Sequence, residues 1–314
     1  MADDAGARAA LDCGTNSTRL LIVDAEDRVL EREMRITRLG EAVDATKKLS
    51  ADAISRTVSV LRDYKKAMDD HGVVRARLVA TSAARDAANV DEFFAAAEEA
   101  TGVRPELLSG LEEGRLSFVG ATASLPAGDR GRQALVVDIG GGSTELVVGQ
   151  TPDELAPVAR VAAVSLDIGC VRLTERFFHH DPPRAGELAA ASEVVDAEVR
   201  RARESLPPVD EAGTLIGLAG TVSTLAALEL GLIHYDRRRI HHALLTREQV
   251  NVWLDQLATE DRRARLDRSG MVEGRADVIV GGVLVLAAVM AGFEKGTCLV
   301  SEDDILDGIV ASIR

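Results

Sequence analysis

The chain has 314 residues, which is more than one ordinary hydrophobic core contains and suits two domains. Lys and Arg number 37 and Asp and Glu number 51, so the formal net charge is −14, which argues against a nucleic-acid partner because such a surface repels phosphodiester backbones. Aromatic residues make up only 3% of the chain, so stacking platforms for single-stranded nucleic acid are not expected either.

The first half of the chain is predicted to begin with three strands and to continue with alternating helices and strands. Apolar and β-branched runs predict strands at 9–11, 19–23 and 29–36. Ser50 is a residue type that caps helices, and the apolar spacing after it predicts a helix to about residue 70. The further predicted elements are a strand at 77–80, a helix at 90–100, a strand at 106–109 and a helix at about 111–124.

Turn-forming residues at Pro126, Gly128 and Gly131 predict a domain boundary, with a first domain at 1–128 and a second at 129–314. A closing helix is predicted at 304–313, and this order of elements allows it to pack back onto the first domain. The other elements predicted after the boundary are strands at 134–137, 145–149 and 158–166, a helix at 186–205, a strand at 215–218, a helix at 221–230, two or three further helices and a strand at 298–300.

The most apolar stretch, at 278–293, is sixteen residues long, whereas a membrane-spanning helix needs about 20. It therefore predicts a buried core helix. Cys13, Cys170 and Cys298 show no paired or metal-type spacing, and the acidic N-terminus lacks the basic start and apolar run of a signal peptide. We therefore expect a cytoplasmic protein with no membrane partner.

The two halves contain a weak internal duplication. An offset of 126 aligns Asp12 with Asp138, Gly14 with Gly140, Ser17 with Ser143, Thr18 with Thr144 and Leu20 with Leu146. Each half is a three-stranded meander followed by α/β units, which is the plan of actin, the sugar kinases and the heat-shock chaperone ATPases. The predicted fold is therefore α/β, with two duplicated actin-like (ribonuclease H-like) domains facing each other across a cleft.

Two Gly-rich turns at matching places in this duplication predict a phosphate site. Glycines are expected to give each turn positive φ, so that successive backbone N–H groups form an anion-binding concavity. The predicted phosphate-binding residues are Gly14, Thr15, Asn16 and Ser17 in the first loop and Gly140, Gly141, Gly142, Ser143 and Thr144 in the second. The alternative is that both are only tight turns, with Asp12 and Asp138 as caps.

The duplication breaks where the first loop has Arg19 and the second has Glu145. Arg19 is expected to grip phosphate as a fixed cation. Glu145 and Asp138 are expected to bind Mg²⁺ (or Mn²⁺), which prefers oxygen ligands. A third turn, with Gly220 and Thr221, is predicted to close the cleft floor and to contribute to phosphate binding, although Thr221 could instead be a helix N-cap.

A family resemblance spans almost the whole chain, in order. It is carried by DCGTNSTRLLIVD (12–24), TRLG (37–40), TSAARDAAN (81–89), LSGLEEGRLSFVGA (108–121), VVDIGGGSTELVVG (136–149), SLDIGCVRLTERF (165–177), GLAGTVSTLAALELGL (217–232), YD…HHALLT (235–246), GRADVIVGGVLVL (274–286) and DDILDGI (303–309). These segments resemble the exopolyphosphatase/guanosine pentaphosphate phosphatase family. The paired loops indicate only the superfamily, whereas TSAARDAAN and SGLEEGRL are far more specific.

The resemblance implies a Mg²⁺-dependent hydrolase that releases orthophosphate from the end of polyphosphate or from guanosine pentaphosphate. It implies that Glu113 is the general base, that Arg19 and Arg85 contact phosphate, and that Asp138 and Glu145 are the metal-linked carboxylates. Without it, Glu112 and Glu113 would equally fit an ordinary acidic helix N-terminus. The chain looks like the short, two-domain form, and the family suggests a homodimer.

Several alternatives stay open from the sequence. The same site would serve a guanosine pentaphosphate 5′-phosphohydrolase, and the same fold would serve a kinase or ATPase or a non-catalytic binder of polyphosphate or alarmone. The basic run 237–239 with His241 and His242 is either a site for the trailing phosphates of a chain or a solvated surface. The family frequently has His-Gly where this chain has His241-His242, which puts the loop geometry there in question.

Overall fold

Two β-sheets form the framework of the computed structural model, which describes residues 6–152, 161–209 and 213–313. The strands are β1 (Ala7–Cys13), β2 (Ser17–Val23), β3 (Val29–Ile36), β4 (Val73–Ala80), β5 (Glu106–Leu107), β6 (Gln133–Ile139), β7 (Thr144–Gln150), β8 (Ala162–Leu166), β9 (Thr214–Leu218), β10 (Leu244–Thr246) and β11 (Thr297–Val300). The helices are α1 (Val43–Thr46), α2 (Ala51–Asp70), α3 (Ser82–Asp86), α4 (Val90–Thr101), α5 (Gly110–Ala123), α6 (Cys170–Phe177), α7 (Ala185–Ser205), α8 (Ala219–Glu229), α9 (Arg237–Ile240), α10 (Arg247–Thr259), α11 (Arg262–Leu266), α12 (Ile279–Gly292) and α13 (Ile305–Ser312).

The two sheets share one topology. The first has the order β3-β2-β1-β4-β5, with an antiparallel meander β1–β3 and with β4 and β5 parallel to β1. The second repeats it as β8-β7-β6-β9-β11 and adds β10 as an antiparallel edge strand. The predicted α/β class and the internal duplication are confirmed.

Most predicted elements are present, with ends shifted by a few residues. Ser50 caps α2 as predicted, since its side chain accepts a hydrogen bond from the Ala53 N–H. The cap alternative for Thr221 is wrong, because α8 begins at Ala219 with Leu218 at the N-cap position. The strand predicted at 158–166 is β8, and residues 158–160 lie outside the described residues. The sequence did not predict α1, α3, α6 or β10.

The apolar stretch at 278–293 is the buried helix α12, as predicted, because Ile279–Met290 are all buried within the second half of the chain. Among the helices of the described residues, none combines the length and apolar character that a membrane span requires. The three cysteines are buried and unpaired.

Helices α5 and α13 join the two sheets. One face of α5 packs against the second sheet, where Phe118 and Ala121 lie in one cluster with Val136. The closing helix α13 packs on the first sheet, where Ile305 and Ile309 cluster with Ala10, Leu21 and Leu116. The boundary at 128/129 stays a prediction.

The crossing of α5 and α13 depends on two glycines, and this supports a stability prediction. A Cβ on Gly308 would lie 2.0 Å from the Leu116 carbonyl oxygen, and a Cβ on Gly120 would lie 1.8 Å from that of Asp304. Backbone atoms cannot move aside as a flexible side chain can, so Gly308→Ala is expected to destabilise the protein by about 3 kcal/mol or more. Urea denaturation measures this. Gly186→Ala is the control, because a Cβ in that helix meets nothing within 4 Å, and its midpoint should be unchanged or raised.

Candidate active site

A cavity lies at the carboxyl ends of β1, β4, β6 and β9, where ligands bind in open α/β sheets. The residues that line it come from both sheets. Of the predicted site residues it is lined by Gly14, Thr15, Asn16, Ser17, Arg19, Glu113, Asp138, Gly140, Gly141, Gly142, Ser143, Gly220 and Thr221. Arg85, Thr144 and Glu145 lie behind this wall. The structure thus brings residues more than 200 positions apart to one place.

The two predicted phosphate loops are the β1–β2 and β6–β7 hairpins. Asp12 pairs across its hairpin with Arg19, and Asp138 pairs at the equivalent position with Glu145. Arg19 and Glu145 therefore occupy equivalent positions in the two hairpins, as the sequence alignment of the two halves predicted. Thr144, the last predicted residue of the second loop, is fully buried and donates its hydroxyl to the Ile168 carbonyl at 2.6 Å, so it anchors the loop and does not face the cavity.

The expectation of positive φ in these loops is wrong. None of the glycines in either loop has a positive φ in the described chain. Close packing explains the glycines instead, because a Cβ on Gly142 would lie 2.5 Å from the Ser82 Oγ and one on Gly141 would lie 2.9 Å from the Thr15 Cβ. Gly141 and Gly142 therefore let the second loop pack closely against Thr15 of the first loop and against Ser82 of α3.

Five backbone amides of the loops have no hydrogen-bond partner within the described residues, and they belong to Thr15, Asn16, Gly141, Gly142 and Ser143. The amides of the first glycine in each loop are used within the hairpin: Gly14 donates to the Ser17 carbonyl and Gly140 to that of Ser143, each at 3.0 Å. A set of unpaired amides on the wall of one cavity is suited to the oxygens of an anion such as phosphate.

Arg19 lies on the cavity wall between two carboxylates. Its guanidinium donates to Asp12 Oδ2 at 2.6 Å and to Asp304 Oδ2 at 2.5 Å. Burial alone would lower the pKa of Arg19, but Asp304, Asp12 and Asp138 raise it, so the side chain keeps its charge. Arg19 is thus held in a fixed orientation, with its side chain 17% exposed.

Glu113 lies in the first turn of α5, where Ser109 caps the helix by accepting from the Glu112 amide. Its carboxylate accepts a 2.6 Å hydrogen bond from Arg85, which also donates to the Leu108 carbonyl at 2.9 Å. Burial raises the pKa of Glu113 to about 7, although Arg85 opposes the rise. A carboxylate with such a pKa, on the wall of a cavity, is suited to general base catalysis near neutral pH. The direct phosphate contact of Arg85 stays a prediction, since Arg85 lies behind Glu113.

Glu145 is 1% exposed and is paired with Asp138 across the second hairpin. One of its oxygens accepts from the Ser165 hydroxyl at 2.7 Å, and the other is buried with no hydrogen-bond partner among the described residues. Burial raises the pKa of Glu145, and the neighbouring carboxylates of Glu113 and Asp138 raise it further. A cation placed among these carboxylates would reverse that rise.

Asp138 is the carboxylate of the second hairpin that reaches the cavity. It accepts a 2.6 Å hydrogen bond from the Ser117 hydroxyl, and burial raises its pKa to about 6. In the described part of the chain, no three His, Cys, Asp or Glu side chains are grouped closely enough to hold a metal ion by themselves. Mg²⁺ does not require such a cage, because one or two carboxylates, water and substrate oxygens suffice. The unpartnered oxygens of Glu145 and Asp12 fit a cation of this kind.

Arg275 is a site residue that the sequence analysis missed. It lines the cavity and donates to the Gly220 carbonyl at 3.0 Å and to the Thr224 hydroxyl at 2.8 Å. It forms no ion pair within the described residues, whereas Arg19 forms two. The signal that could have identified Arg275 is its position in GRADVIVGGVLVL (274–286), one of the segments that carry the family resemblance. Beside it, Ala219 has φ 69°, a left-handed conformation that is uncommon for a residue with a Cβ and occurs at functional turns.

The basic run 237–239 forms α9 and does not line the cavity. Arg237 pairs with Asp303, and His241 and His242 stack with ring centroids 3.7 Å apart. His242 has φ 65°, so the residue that replaces the family's frequent glycine still adopts the conformation that favours glycine. A role in holding trailing phosphates stays a prediction.

Comparison with known proteins identifies relatives over nearly the whole chain. Residues 21–313 match the model of the Ppx/GppA phosphatase family. Exopolyphosphatase 2 of Mycobacterium tuberculosis is 42% identical, with 97% of this chain and 98% of that protein covered. A guanosine-5′-triphosphate,3′-diphosphate pyrophosphatase of Vibrio parahaemolyticus is 30% identical over 96% of this chain and 58% of that protein. The crystal structure of an Aquifex aeolicus family member superposes with a TM-score of 0.79 at 35% identity, covering 98% of this chain and 97% of that chain.

Proposed function

The chain belongs to the Ppx/GppA phosphatase family, and on this premise we propose that it is an exopolyphosphatase, which releases terminal orthophosphate from inorganic polyphosphate. The observation that carries this proposal is the composition of the cavity wall. It combines five unpaired amides, two arginines and a buried glutamate with a pKa near neutrality, and in the described residues it contains no aromatic ring. The amides, the arginines and the glutamate are sufficient to bind and cleave a chain of phosphates. A guanine base, in contrast, is usually held by stacking on an aromatic side chain.

In the proposed reaction, the loop amides and the arginines bind the terminal phosphoryl group. A water oxygen attacks the phosphorus in line with the bridging bond, and Glu113 accepts the proton of that water. The bond from phosphorus to the bridging oxygen breaks, and the shortened polyphosphate leaves with the electron pair. Catalysis of this kind depends on positioning and on neutralising charge.

Asp138 and Glu145 would hold Mg²⁺ when it is bound, and the ion would supply positive charge opposite the phosphate oxygens. The charges at the site support this assignment. Asp12, Glu113 and Asp138 line the cavity, and Glu145 and Asp304 lie next to it. Among the described residues, the cations paired with carboxylates of this group are Arg19, Arg32 and Arg85. A polyanionic substrate entering beside five acidic groups requires further positive charge.

The experiment that tests the function measures orthophosphate release from short polyphosphate, long polyphosphate, guanosine pentaphosphate and ATP, each with and without Mg²⁺. We expect the highest kcat/KM with polyphosphate and little release from ATP. Preference for guanosine pentaphosphate would favour the alternative that the Vibrio relative represents, namely a phosphatase of the alarmone. Absence of release from all of the first three substrates would overturn the proposal.

A further inference from the structure

The second phosphate loop, residues 140–143, is fixed through its carbonyl groups by helix α6. The Gly140 carbonyl accepts a hydrogen bond from the Cys170 amide at 3.0 Å. The Gly141 carbonyl accepts from the amides of Val171 at 2.8 Å and Arg172 at 3.0 Å. The first turn of α6 therefore determines which way two peptide groups of the loop face.

The third carbonyl of the loop is held by a side chain. The Nε of Arg172 donates to the Gly142 carbonyl at 2.6 Å. In a planar trans peptide the C=O and the following N–H point in opposite directions. The three carbonyls held by α6 and Arg172 therefore turn the amides of Gly141, Gly142 and Ser143 away from α6, and these amides are among the unpaired ones on the cavity wall.

Arg172 also joins the loop to the other half of the molecule. Its Nη1 donates to Asp44 on α1 at 2.5 Å, and its Nη2 pairs with Asp86 on α3. The side chain is 8% exposed, so these contacts are largely shielded from water. Burial would raise the pKa of Asp44, but Arg172, Arg176 and Lys47 together lower it, so the carboxylate stays charged opposite the guanidinium.

We propose that Arg172 is a positioning residue for phosphate binding, which orients the second phosphate loop and fixes it against α1 and α3. A planar guanidinium is needed because three separate nitrogen atoms of one group must donate to the Gly142 carbonyl and to the carboxylates of Asp44 and Asp86. Arg172 does not line the cavity and acts through the loop amides. Its contribution is preorganisation: the amides are held ready for the phosphate, and their ordering costs nothing at the moment of binding.

The test compares Arg172→Met with Arg176→Met. Arg176 lies one turn later on the same helix, is 49% exposed and approaches the same Asp44 at 3.5 Å, but within the described residues it forms no hydrogen bond with the loop. Calorimetry would measure binding of orthophosphate with Mg²⁺ and of tripolyphosphate without metal. We expect Arg172→Met to weaken both at least about tenfold, as for loss of a charge-assisted hydrogen bond, and Arg176→Met to leave both unchanged.

The kinetic part of the test rests on the proposed function. Arg172→Met should raise KM for polyphosphate, while the pH dependence of kcat stays that of the wild type because Glu113 is untouched. Arg172→Lys, which keeps the charge but not the fork, serves if Arg172→Met does not fold, and it should show the same direction of change. Wild-type affinity and KM in a folded Arg172 variant, with only a lower melting temperature, would overturn the inference. A wild-type protein that binds phosphate but hydrolyses no polyphosphate would overturn the proposed function alone.

Discussion

Replacing Glu113 with Gln is expected to lower kcat for orthophosphate release on the order of 10²- to 10⁴-fold, which is the usual contribution of a general base. Gln has nearly the same shape and still accepts the hydrogen bond from Arg85, so the cavity wall is kept while the proton acceptor is lost. Single-turnover phosphate release with saturating polyphosphate measures this effect without interference from product dissociation.

Glu112→Gln is the matched control for that experiment. Glu112 is the adjacent acid in the same helical turn, its side chain is 38% exposed, and its ion-pair partner within the described residues is Arg115 at 3.8 Å. A wild-type rate is expected for this variant. Comparable losses in both variants would mean that the acidic helix terminus serves the fold or the local field, and wild-type release by Glu113→Gln would remove Glu113 from the chemistry.

The same carboxylate predicts the acid limb of the pH profile. Because the base must be deprotonated to accept a proton, kcat/KM should fall as pH drops below about 7, the value to which burial raises the pKa of Glu113. The stability of the fold is expected to depend on pH in the opposite direction from kcat/KM. Glu113 and Asp138 have higher pKa values in the folded state than unfolded, so the folded state binds more protons and their contribution to stability is lost as pH rises from about 4 to 7. The active form of the site is therefore its less stable form.

The sequence predicted those parts of the site that local patterns encode. The hairpins show as apolar runs around Gly-rich turns, and the repeated Asp and Ser-Thr positions identify Asp12 and Asp138 as equivalent. The cap at Ser50 also follows from neighbouring residues alone. These features depend on contacts within about ten residues, for which residue type and spacing carry the information.

The features that the sequence did not predict arise from contacts between distant segments. Helix α6 is only eight residues long and is placed by the second loop, so its pattern is too short to identify. The roles of Arg275 and Arg172 depend on partners on other elements, such as Thr224 and Asp86. The prediction of positive φ for the loop glycines was wrong because Gly141 and Gly142 are required by packing against other segments, which the sequence of one loop does not show.

The acidic groups around the cavity lead to a second prediction, which concerns the dependence of phosphate release on Mg²⁺. A terminal phosphoryl group would enter beside Asp138. Burial raises the pKa of Asp138, and the neighbouring carboxylates of Asp304 and Asp12 raise it further. Without a cation, the site therefore already contains an excess of negative charge. Like charges at short range in a partly buried site repel strongly. The amides and arginines of the wall offset part of this repulsion, and the proposed Mg²⁺ would offset the remainder.

Chelation of divalent cations is therefore expected to abolish orthophosphate release, and Asp138→Asn is expected to raise the Mg²⁺ concentration for half-maximal rate at least about tenfold. Titration of the rate with Mg²⁺ measures this, and calorimetry of tripolyphosphate binding with and without Mg²⁺ gives a readout that does not depend on turnover. Asp63→Asn, which removes the same charge from a 46% exposed side chain on α2, should leave both titrations unchanged. Release that persists in excess EDTA would exclude a metal requirement, and an Asp138→Asn variant with the wild-type Mg²⁺ dependence would place the ion on other ligands.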